Sequence, residues 1–404
     1  MGAYPRWSTM RALRVLHVID SLWGGGAEMS LVFYVHAVGQ ERGVEHRVVA
    51  LRGDKLTREA ATGLPVPAVV GSPRPGPQWS DAALVRTQVA EFRPDLVTST
   101  LVRATFAAGR ALAGSRVPLL VALTSVAHDV DDVHGSVKRR VGIRLSHAAH
   151  GFTLRRRRVS IRAVSRPVAE RAIGMFRLDP EAVFVVPDLR PDLRSRVTAG
   201  RAALRHRLGV AEHSSVLAYT AREHPIKDHA TLLAAVARLL DDRPSLRLLL
   251  AGPSGAATDA IDRAVERLGL GRAVLRLGLR DDVPDLLAAA DLFVSSSMSE
   301  GLGASVIEAM GMGLPVVAVD NPGIREVLGG RHPGLVPAGD EIAMADRVKK
   351  FLDDESLSSE ASRIGSARFR ETFDVSRNAW RHEEVFRRAI DRYPRASGGR
   401  AGST

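Results

Sequence analysis

The sequence predicts an α/β protein made of two doubly wound, Rossmann-like domains, and two observations predict it: the length of the chain and its regular alternation of segments. The chain has 404 residues, which exceeds the size at which a single hydrophobic core usually stops growing. Short apolar runs alternate with helix-length amphipathic segments, a pattern typical of βαβ units around a buried parallel sheet. The alternation pauses over 187–196, which contains two prolines and no periodicity. We therefore expect a linker there.

Twelve apolar runs are predicted as strands, with helices between most of them. They cover 13–19, 47–51, 68–70, 96–98, 119–123, 161–164 and 183–186 in the first half, and 216–220, 246–251, 273–277, 292–295 and 316–319 in the second. The predicted organisation is a tail (1–11), a first domain (12–190), a second domain (191–375), a C-terminal helix (376–395) and a frayed tail (396–404).

The C-terminal helix and the ligand site follow from the same pattern. Trp380, Val385, Phe386 and Ile390 are spaced along one helical face, so this helix is expected to pack back on the first domain.

Ligands of doubly wound sheets bind beyond the carboxyl ends of the strands. An interdomain cleft is therefore the expected site.

Composition excludes several classes of protein. The chain contains no cysteine, so it has neither a disulfide framework nor a thiolate nucleophile. Its apolar runs fall short of the roughly 20 residues that a membrane span requires, and its N-terminus lacks the pattern of a secretory signal. We expect a cytoplasmic protein, peripheral on the inner face of the cell membrane.

Positive charge is concentrated in the first half. Residues 1–190 contain 27 Lys and Arg against 16 Asp and Glu, and so carry most of the net charge of +12. The run Arg155-Arg156-Arg157-Arg158 fits a face for anionic phospholipid or a phosphorylated acceptor, and it fits equally a solvated helix surface. Aromatic residues make up 5% of the chain and do not interleave with these arginines, so no nucleic-acid partner is expected.

A glycine-rich turn follows the first predicted strand. Gly24, Gly25 and Gly26 precede Glu28 and a helix predicted over 29–38. Glycines allow a ligand to approach the backbone closely, and helix N-terminal amides suit an anion. The spacing is not G-x-G-x-x-G, which disfavours NAD or FAD. The same turn also fits a purely structural connection.

Two cations flank the loop after the strand predicted over 216–220. Arg222 and Lys227 suit a diphosphate, Arg through bidentate contacts and Lys as a point charge. Taken alone, they are better explained as two ordinary surface residues.

The segment from Glu300 to Glu308 carries the strongest signal. It lies within the stretch 291–319, which reads as strand, loop, helix, tight turn and strand, with Glu300 in the loop and Glu308 in the helix. Eight helical positions advance about 12 Å, comparable with the distance from the ribose to the sugar of a sugar nucleotide. The amides of Gly301, Leu302 and Gly303 lie at a helix N-terminus suited to phosphate. A buried carboxylate is costly without partners, which favours a functional Glu308.

Taken together, these motifs resemble the retaining glycosyltransferases of family 4 (group 1), which have the GT-B fold. The markers occur in the family's order over nearly the whole chain: Gly24-Gly25-Gly26-Ala27-Glu28, Arg222 with Lys227, Leu250-Ala251-Gly252-Pro253, Glu300 with Glu308, and Gly334-Leu335-Val336-Pro337. The chain departs from the family's pattern at Asp188-Leu189, where Asn-Gly is common, and at Ala221 and His224.

The resemblance implies a role for each residue of the donor site. Arg222 and Lys227 would hold the diphosphate, Glu308 the ribose and Glu300 the transferred sugar. The backbone around Gly278 and Leu279 would meet the base. Members of the family need no metal, so no cofactor is expected, and Asp129-Val130-Asp131 is interpreted as a chance match to the D-x-D pattern.

For the acceptor half, the resemblance implies that His128 lies by the sugar and the acceptor. The donor would be a UDP- or GDP-sugar, and the acceptor a glycan, glycolipid or lipid-linked hydroxyl, as in polysaccharide biosynthesis. A front-face route with retention is favoured, in which the leaving phosphate accepts the proton of the acceptor. Two alternatives stay open: a sugar-nucleotide 2-epimerase, and a non-catalytic sugar-nucleotide or nucleic-acid binding module.

Overall fold

The structure, a computed structural model, consists of two compact units. Unit 1 comprises Met1–Asp188 and Asn378–Thr404, and unit 2 comprises Leu189–Arg377. The residues that the structure describes are 12–23, 25–39, 43–72, 78–125, 148–156 and 158–393. Both predicted tails lie outside these ranges.

Unit 1 contains a seven-stranded parallel sheet in the order β3-β2-β1-β4-β5-β6-β7. Its strands are β1 (Leu13–Ile19), β2 (Val44–Ala50), β3 (Ala68–Val70), β4 (Leu96–Thr100), β5 (Leu119–Leu123), β6 (Val159–Ala163) and β7 (Val183–Val185). Its helices are α1 (Gly26–Val38), α2 (Lys55–Thr62), α3 (Gln78–Phe92), α4 (Val102–Ala111), the described part of α5 (148–154) and α6 (Arg166–Phe176). All residues of β4, β5 and β6 are buried, as expected for strands covered on both faces.

Unit 2 repeats this plan with six parallel strands in the order β10-β9-β8-β11-β12-β13. The strands are β8 (Val216–Thr220), β9 (Arg247–Ala251), β10 (Val274–Gly278), β11 (Leu292–Ser295), β12 (Val316–Val319) and β13 (Leu335–Val336). The helices are α7 (Arg201–Arg207), α8 (His229–Asp242), α9 (Thr258–Arg267), α10 (Val283–Ala289), α11 (Ala304–Met312), α12 (Pro322–Leu328), α13 (Glu341–Asp353) and α14 (Glu355–Arg368). The two-domain α/β prediction is confirmed, while β13 was not predicted because two residues give no periodic signal.

The C-terminal segment packs on unit 1, as predicted. It forms α15 (Val375–Asn378) and α16 (Trp380–Asp391), and α16 contacts β4 and β5. The buried side of α16 includes Val385 and Phe386, but also His382 and Glu383, so the buried face is more polar than the apolar spacing predicted. Across the described ranges, no helix has the length and apolarity to cross a membrane.

The described members of the arginine run bind the ends of other elements. The guanidinium of Arg155 donates to the carbonyl of Phe176 at 2.9 Å, at the end of α6. Arg156 donates to a carbonyl in the last turn of α4 at 2.7 Å. Arg158 donates to the carbonyl of Tyr393, just after α16, at 3.2 Å. Cations at helix C-termini stabilise the helices. This structural role of the arginine run differs from both sequence interpretations, an anion-binding face and a solvated helix surface.

Three buried histidines lie between the sheet of unit 1 and α16. His17 Nε2 lies 3.0 Å from His46 Nδ1, and its Nδ1 lies 2.8 Å from the Thr98 hydroxyl. His382 Nε2 lies 3.0 Å from the carbonyl oxygen of Pro187. Burial lowers the pKa of His46 to about 4 and of His382 to about 3, and it holds the pKa of His17 well below its usual range. All three rings are therefore neutral at neutral pH.

We expect acid to destabilise unit 1 through these histidines. In the unfolded chain a histidine titrates near 6.5, so as the pH falls the unfolded state takes up protons before the folded state does. The free energy of unfolding should fall between about pH 6.5 and about pH 4. Denaturant titrations at several pH values measure this slope. His46→Gln should make the pH dependence of the free energy of unfolding less steep, and the exposed His213→Gln should not. Equal slopes in the wild type and both variants would contradict a role for the buried histidines.

Candidate functional site

The candidate site of unit 2 lies where the strand order reverses. Strands β8 and β11 are hydrogen-bonded neighbours, whereas β9 follows β8 on its other side. The loops after β8 and β11 therefore diverge over the carboxyl end of the sheet and leave a crevice, the usual ligand position in a doubly wound sheet. Lys227 and Glu300 come from these two loops.

Lys227 and Glu300 form an ion pair across this crevice. The Lys227 ammonium lies 2.5 Å from Glu300 Oε1, and the side chains are 22% and 16% exposed. Two hydrogen bonds hold the backbone of Lys227 in place: its carbonyl accepts from the Tyr219 hydroxyl at 3.1 Å and from the Ser296 hydroxyl at 2.8 Å. The sequence prediction that both residues belong to one site agrees with this geometry.

Arg222 lies in the same loop and faces solvent. Its side chain is exposed, and among the described residues it has no ion-pair partner. The loop is held close to the end of β9, since a Cβ atom added at Gly252 would lie 1.9 Å from the carbonyl oxygen of Ala221. One cation of the loop is thus neutralised by Glu300, while the other is available to an anion.

The loop from Glu300 to Gly303 leads directly into α11. Gly303, the N-cap residue of α11, has φ +81° and no side chain with which to cap the helix. The positive end of the helix dipole therefore lies at this loop. Gly323 of α12 packs against this loop, because an added Cβ atom would lie 2.2 Å from the carbonyl oxygen of Glu300. Leu302 is buried beneath the loop. The carboxylate and the helix N-terminus are therefore positioned by backbone packing.

Glu308 pairs with an arginine that the sequence did not identify. Arg190 Nε lies 3.1 Å from Glu308 Oε1, and the arginine side chain is 2% exposed. Burial raises the pKa of Glu308, and the guanidinium opposes this shift. Arg190 is also anchored through its backbone, which bonds to Phe373 and Val375. It is one of three arginines in the segment 187–196, which was interpreted as a linker, and nothing in the local pattern distinguishes it from the other two.

Gly278 and Leu279, predicted to lie by the base, lie at the end of β10, which pairs with β9: Gly278 is its last residue and Leu279 follows it. Gly278 has φ +62°, and its carbonyl accepts a hydrogen bond from the Gly252 amide at 2.7 Å. The Leu279 side chain is 53% exposed. An exposed apolar side chain beside an open backbone turn suits the face of a planar ring.

In unit 1 the glycine turn lies at the start of α1. Gly25 is the N-cap residue and the Glu28 carboxylate lies over it, 2.3 Å from the position of an added Cβ atom. Gly26 is the first helical residue. Asp20, at the end of β1, accepts a hydrogen bond from the Ala104 amide at 2.7 Å. Burial raises the pKa of Asp20. Unit 1 therefore also carries polar groups where its strand order reverses.

Several predicted residues lie outside the described part of the chain. They are Gly24, His128 and the two aspartates of the D-x-D pattern, Asp129 and Asp131. Within the described ranges, no group of three or more acidic or histidine side chains is arranged to hold a metal ion.

Comparison with known families identifies the chain. The model of Glycosyltransferase Family 4 matches residues 24–188, and the model of Glycosyl transferases group 1 matches residues 214–354. The chain is a family 4 glycosyltransferase. The first match covers most of unit 1 and the second covers the site of unit 2, so both halves of the resemblance noted in the sequence are confirmed.

Curated relatives of this family 4 chain match part of its length. The chain is 36% identical over 155 residues to the putative glycosyltransferase EpsD of Bacillus subtilis, covering 38% of this chain and 40% of the relative. It is 34% identical over 226 residues to D-inositol 3-phosphate glycosyltransferase of Streptomyces scabiei, covering 51% and 50%. The chain thus spans about half the length of the curated relatives it matches.

Solved structures extend the similarity to the whole fold. HepE of Anabaena, in complex with UDP and glucose, superposes with a TM-score of 0.79 at 23% identity, over 93% of this chain and 100% of that chain. WaaG, a glycosyltransferase of lipopolysaccharide biosynthesis, gives a TM-score of 0.73 at 17% identity, over 93% and 99%. These likenesses confirm the GT-B fold of this family 4 chain.

Gly323 offers a direct test of how the Glu300 loop is held. Gly323→Ala should displace the loop and lower the free energy of unfolding by about 1–3 kcal/mol, because the methyl group would overlap a backbone oxygen. Gly330→Ala is the matched control, since its nearest new contact is an arginine side chain at 3.6 Å. Denaturant unfolding of both variants measures the difference, and equal stabilities would contradict the packing described.

Proposed function

We propose that the chain is a metal-independent retaining glycosyltransferase. It transfers a hexose or N-acetylhexosamine from a UDP- or GDP-sugar to a hydroxyl of a glycan, glycolipid or lipid-linked acceptor. The observation that carries this proposal is the Lys227–Glu300 pair, 2.5 Å apart, at the reversal of strand order in unit 2. It combines a cation for a diphosphate with a carboxylate for sugar hydroxyls.

The leaving group is the part of the donor that these residues stabilise. When the bond from the sugar to the diphosphate breaks, negative charge develops on the departing phosphate oxygen. Lys227, Arg222 and the amides at the start of α11 supply positive charge there without a metal, and preorganised charge of this kind lowers the barrier. Glu300 keeps one oxygen on Lys227, so its other oxygen is available to accept a hydrogen bond from the sugar.

Glu308 is proposed to bind the ribose of the donor. An ionised carboxylate can accept a hydrogen bond on each oxygen from two adjacent hydroxyls, whereas burial alone opposes ionisation. Arg190, 3.1 Å away, favours the ionised form. Gly278 and Leu279 would then contact the base, and His128 would position the acceptor.

The relatives support the choice of substrates. HepE of Anabaena forms complexes with UDP and with UDP-glucose, and the Streptomyces relatives act on D-inositol 3-phosphate. A relative from Rhizobium meliloti is a mannosyltransferase of lipopolysaccharide core biosynthesis. We therefore propose a nucleotide-sugar donor and a polyhydroxylated acceptor, with the basic residues of unit 1 adjoining an anionic membrane surface.

The proposal predicts that Lys227 is needed for transfer in the absence of metal. In buffer with EDTA, UDP- and GDP-sugars are screened with polyhydroxylated acceptors. For the donor that reacts, Lys227→Ala should lower kcat/KM by about 10²-fold or more, because it removes charge from the leaving phosphate. Lys349→Ala, which removes an exposed lysine of unit 2, should leave kcat/KM unchanged. Near-normal turnover of Lys227→Ala, or activity only with added manganese, would contradict the proposal.

Retention predicts the configuration of the product. Transfer from an α-linked donor should give an α-linked product, which NMR of the anomeric proton identifies. A β-linked product would exclude the front-face route. The donor incubated without acceptor should keep its configuration, whereas its conversion to the 2-epimer would favour the epimerase alternative.

A further inference from the structure

A buried carboxylate follows Arg222 in the chain and takes no part in the proposed contacts with the donor. Glu223 is the next residue in the loop, and its side chain is 7% exposed. One oxygen lies 2.5 Å from the Arg276 guanidinium, and the other accepts a hydrogen bond from the Thr258 hydroxyl at 2.5 Å. Both oxygens are thus engaged by residues distant in sequence.

These two partners lie on elements that surround the proposed nucleotide position. Arg276 belongs to β10, two residues before Gly278, and Thr258 is the first residue of α9. Thr258 also accepts a hydrogen bond from the Gly255 amide at 2.9 Å. Glu223 therefore connects the loop of Arg222 to the strand that leads to the base segment.

The backbone of Glu223 strengthens the same connection. Its amide donates to the carbonyl of Pro253 at 3.0 Å, and its carbonyl accepts from the Ala257 amide at 3.0 Å. A Cβ atom added at Gly255 would lie 2.5 Å from that carbonyl oxygen. The segment after β9 is thus packed tightly against the residue that follows Arg222.

Stability alone is a poor reason for this arrangement. Desolvating two charges offsets much of their attraction, and apolar residues of similar size often replace a buried ion pair without loss. A buried pair is more effective at fixing one geometry, because either charge left alone is costly. Burial lowers the pKa of the nearby His229 to about 4, although Glu223 acts in the opposite direction. His229 is therefore neutral at neutral pH and does not compensate the charge of Glu223.

We propose that Glu223 is a positioning residue that holds Arg222 against the diphosphate by joining its loop to Arg276 and α9. The inference rests on the proposed function, because it assumes that a nucleoside diphosphate occupies this crevice. Glu223 makes no contact with the ligand in this account and acts through Arg222. Its loss should therefore weaken binding only where Arg222 is present.

A double-mutant cycle on the full chain tests this dependence, with UDP and GDP as probes and calorimetry as the readout. Glu223→Gln should weaken binding of the tighter nucleoside diphosphate by about tenfold, within the range of coupling between neighbouring residues. In the Arg222→Ala background, the same change should produce no further loss. Glu360→Gln, a change at an exposed ion pair of α14, should leave the affinity unchanged.

The outcomes separate this inference from the proposed function. Equal affinity of wild type and Glu223→Gln, or additive losses in the cycle, would overturn the positioning role while leaving the proposed function intact. Failure of wild type to bind either UDP or GDP would overturn both. Thermal melting without ligand shows whether Glu223→Gln folds. We expect it to fold, because Arg276 still has Asp262 as an ion-pair partner in the variant. If the variant does not fold, Thr258→Val replaces it in the same cycle, with a smaller non-additive loss expected.

Discussion

The candidate site of unit 2 depends on the adjacency of β8 and β11, the two strands at which the order of the second sheet reverses. Neighbouring parallel strands bring their following loops to one edge, and here those loops carry opposite charges. Lys227 and Glu300 are far apart in sequence but meet at 2.5 Å. The backbone of Lys227 is held in place by the Tyr219 and Ser296 hydroxyls, which both donate hydrogen bonds to its carbonyl oxygen. The topology places the pair, and hydrogen bonds beneath it keep the loop in place.

Besides Glu300, which pairs with a lysine, two carboxylates near the crevice each pair with a guanidinium. Glu308 has Arg190, from the start of unit 2, and Glu223 has Arg276 from β10. Unpaired, these carboxylates would be protonated or would destabilise the fold. Because each partner comes from a different segment, the pairs also bind loop, strand and linker into one arrangement. Charge compensation and positioning are thus the same interaction.

The sequence predicted the strands well because both sheets are buried on two faces, which leaves continuous apolar runs such as 13–19 and 216–220. It predicted Lys227 and Glu300 because their motifs are local. Arg190 was missed, since a cation in an irregular segment gives no periodic signal. Glu223 was missed for a related reason: a glutamate in a loop suggests solvent, and only the fold brings Arg276 and Thr258 to it. Local sequence patterns do not predict ion pairs between residues that are far apart in the sequence.

The two units use one topology for different electrostatics. In unit 1 the strand order reverses between β1 and β4, and Asp20 lies there with its carboxylate on the Ala104 amide at 2.7 Å. In unit 2 the corresponding place carries an ammonium and a carboxylate, with the exposed Arg222 nearby. The cations of unit 2 suit a diphosphate, whereas the carboxyl group of Asp20, whose pKa is raised by burial, can exchange hydrogen bonds with hydroxyls. This contrast supports the proposed transfer, in which unit 2 binds the phosphate-bearing donor and unit 1 a hydroxyl-bearing acceptor.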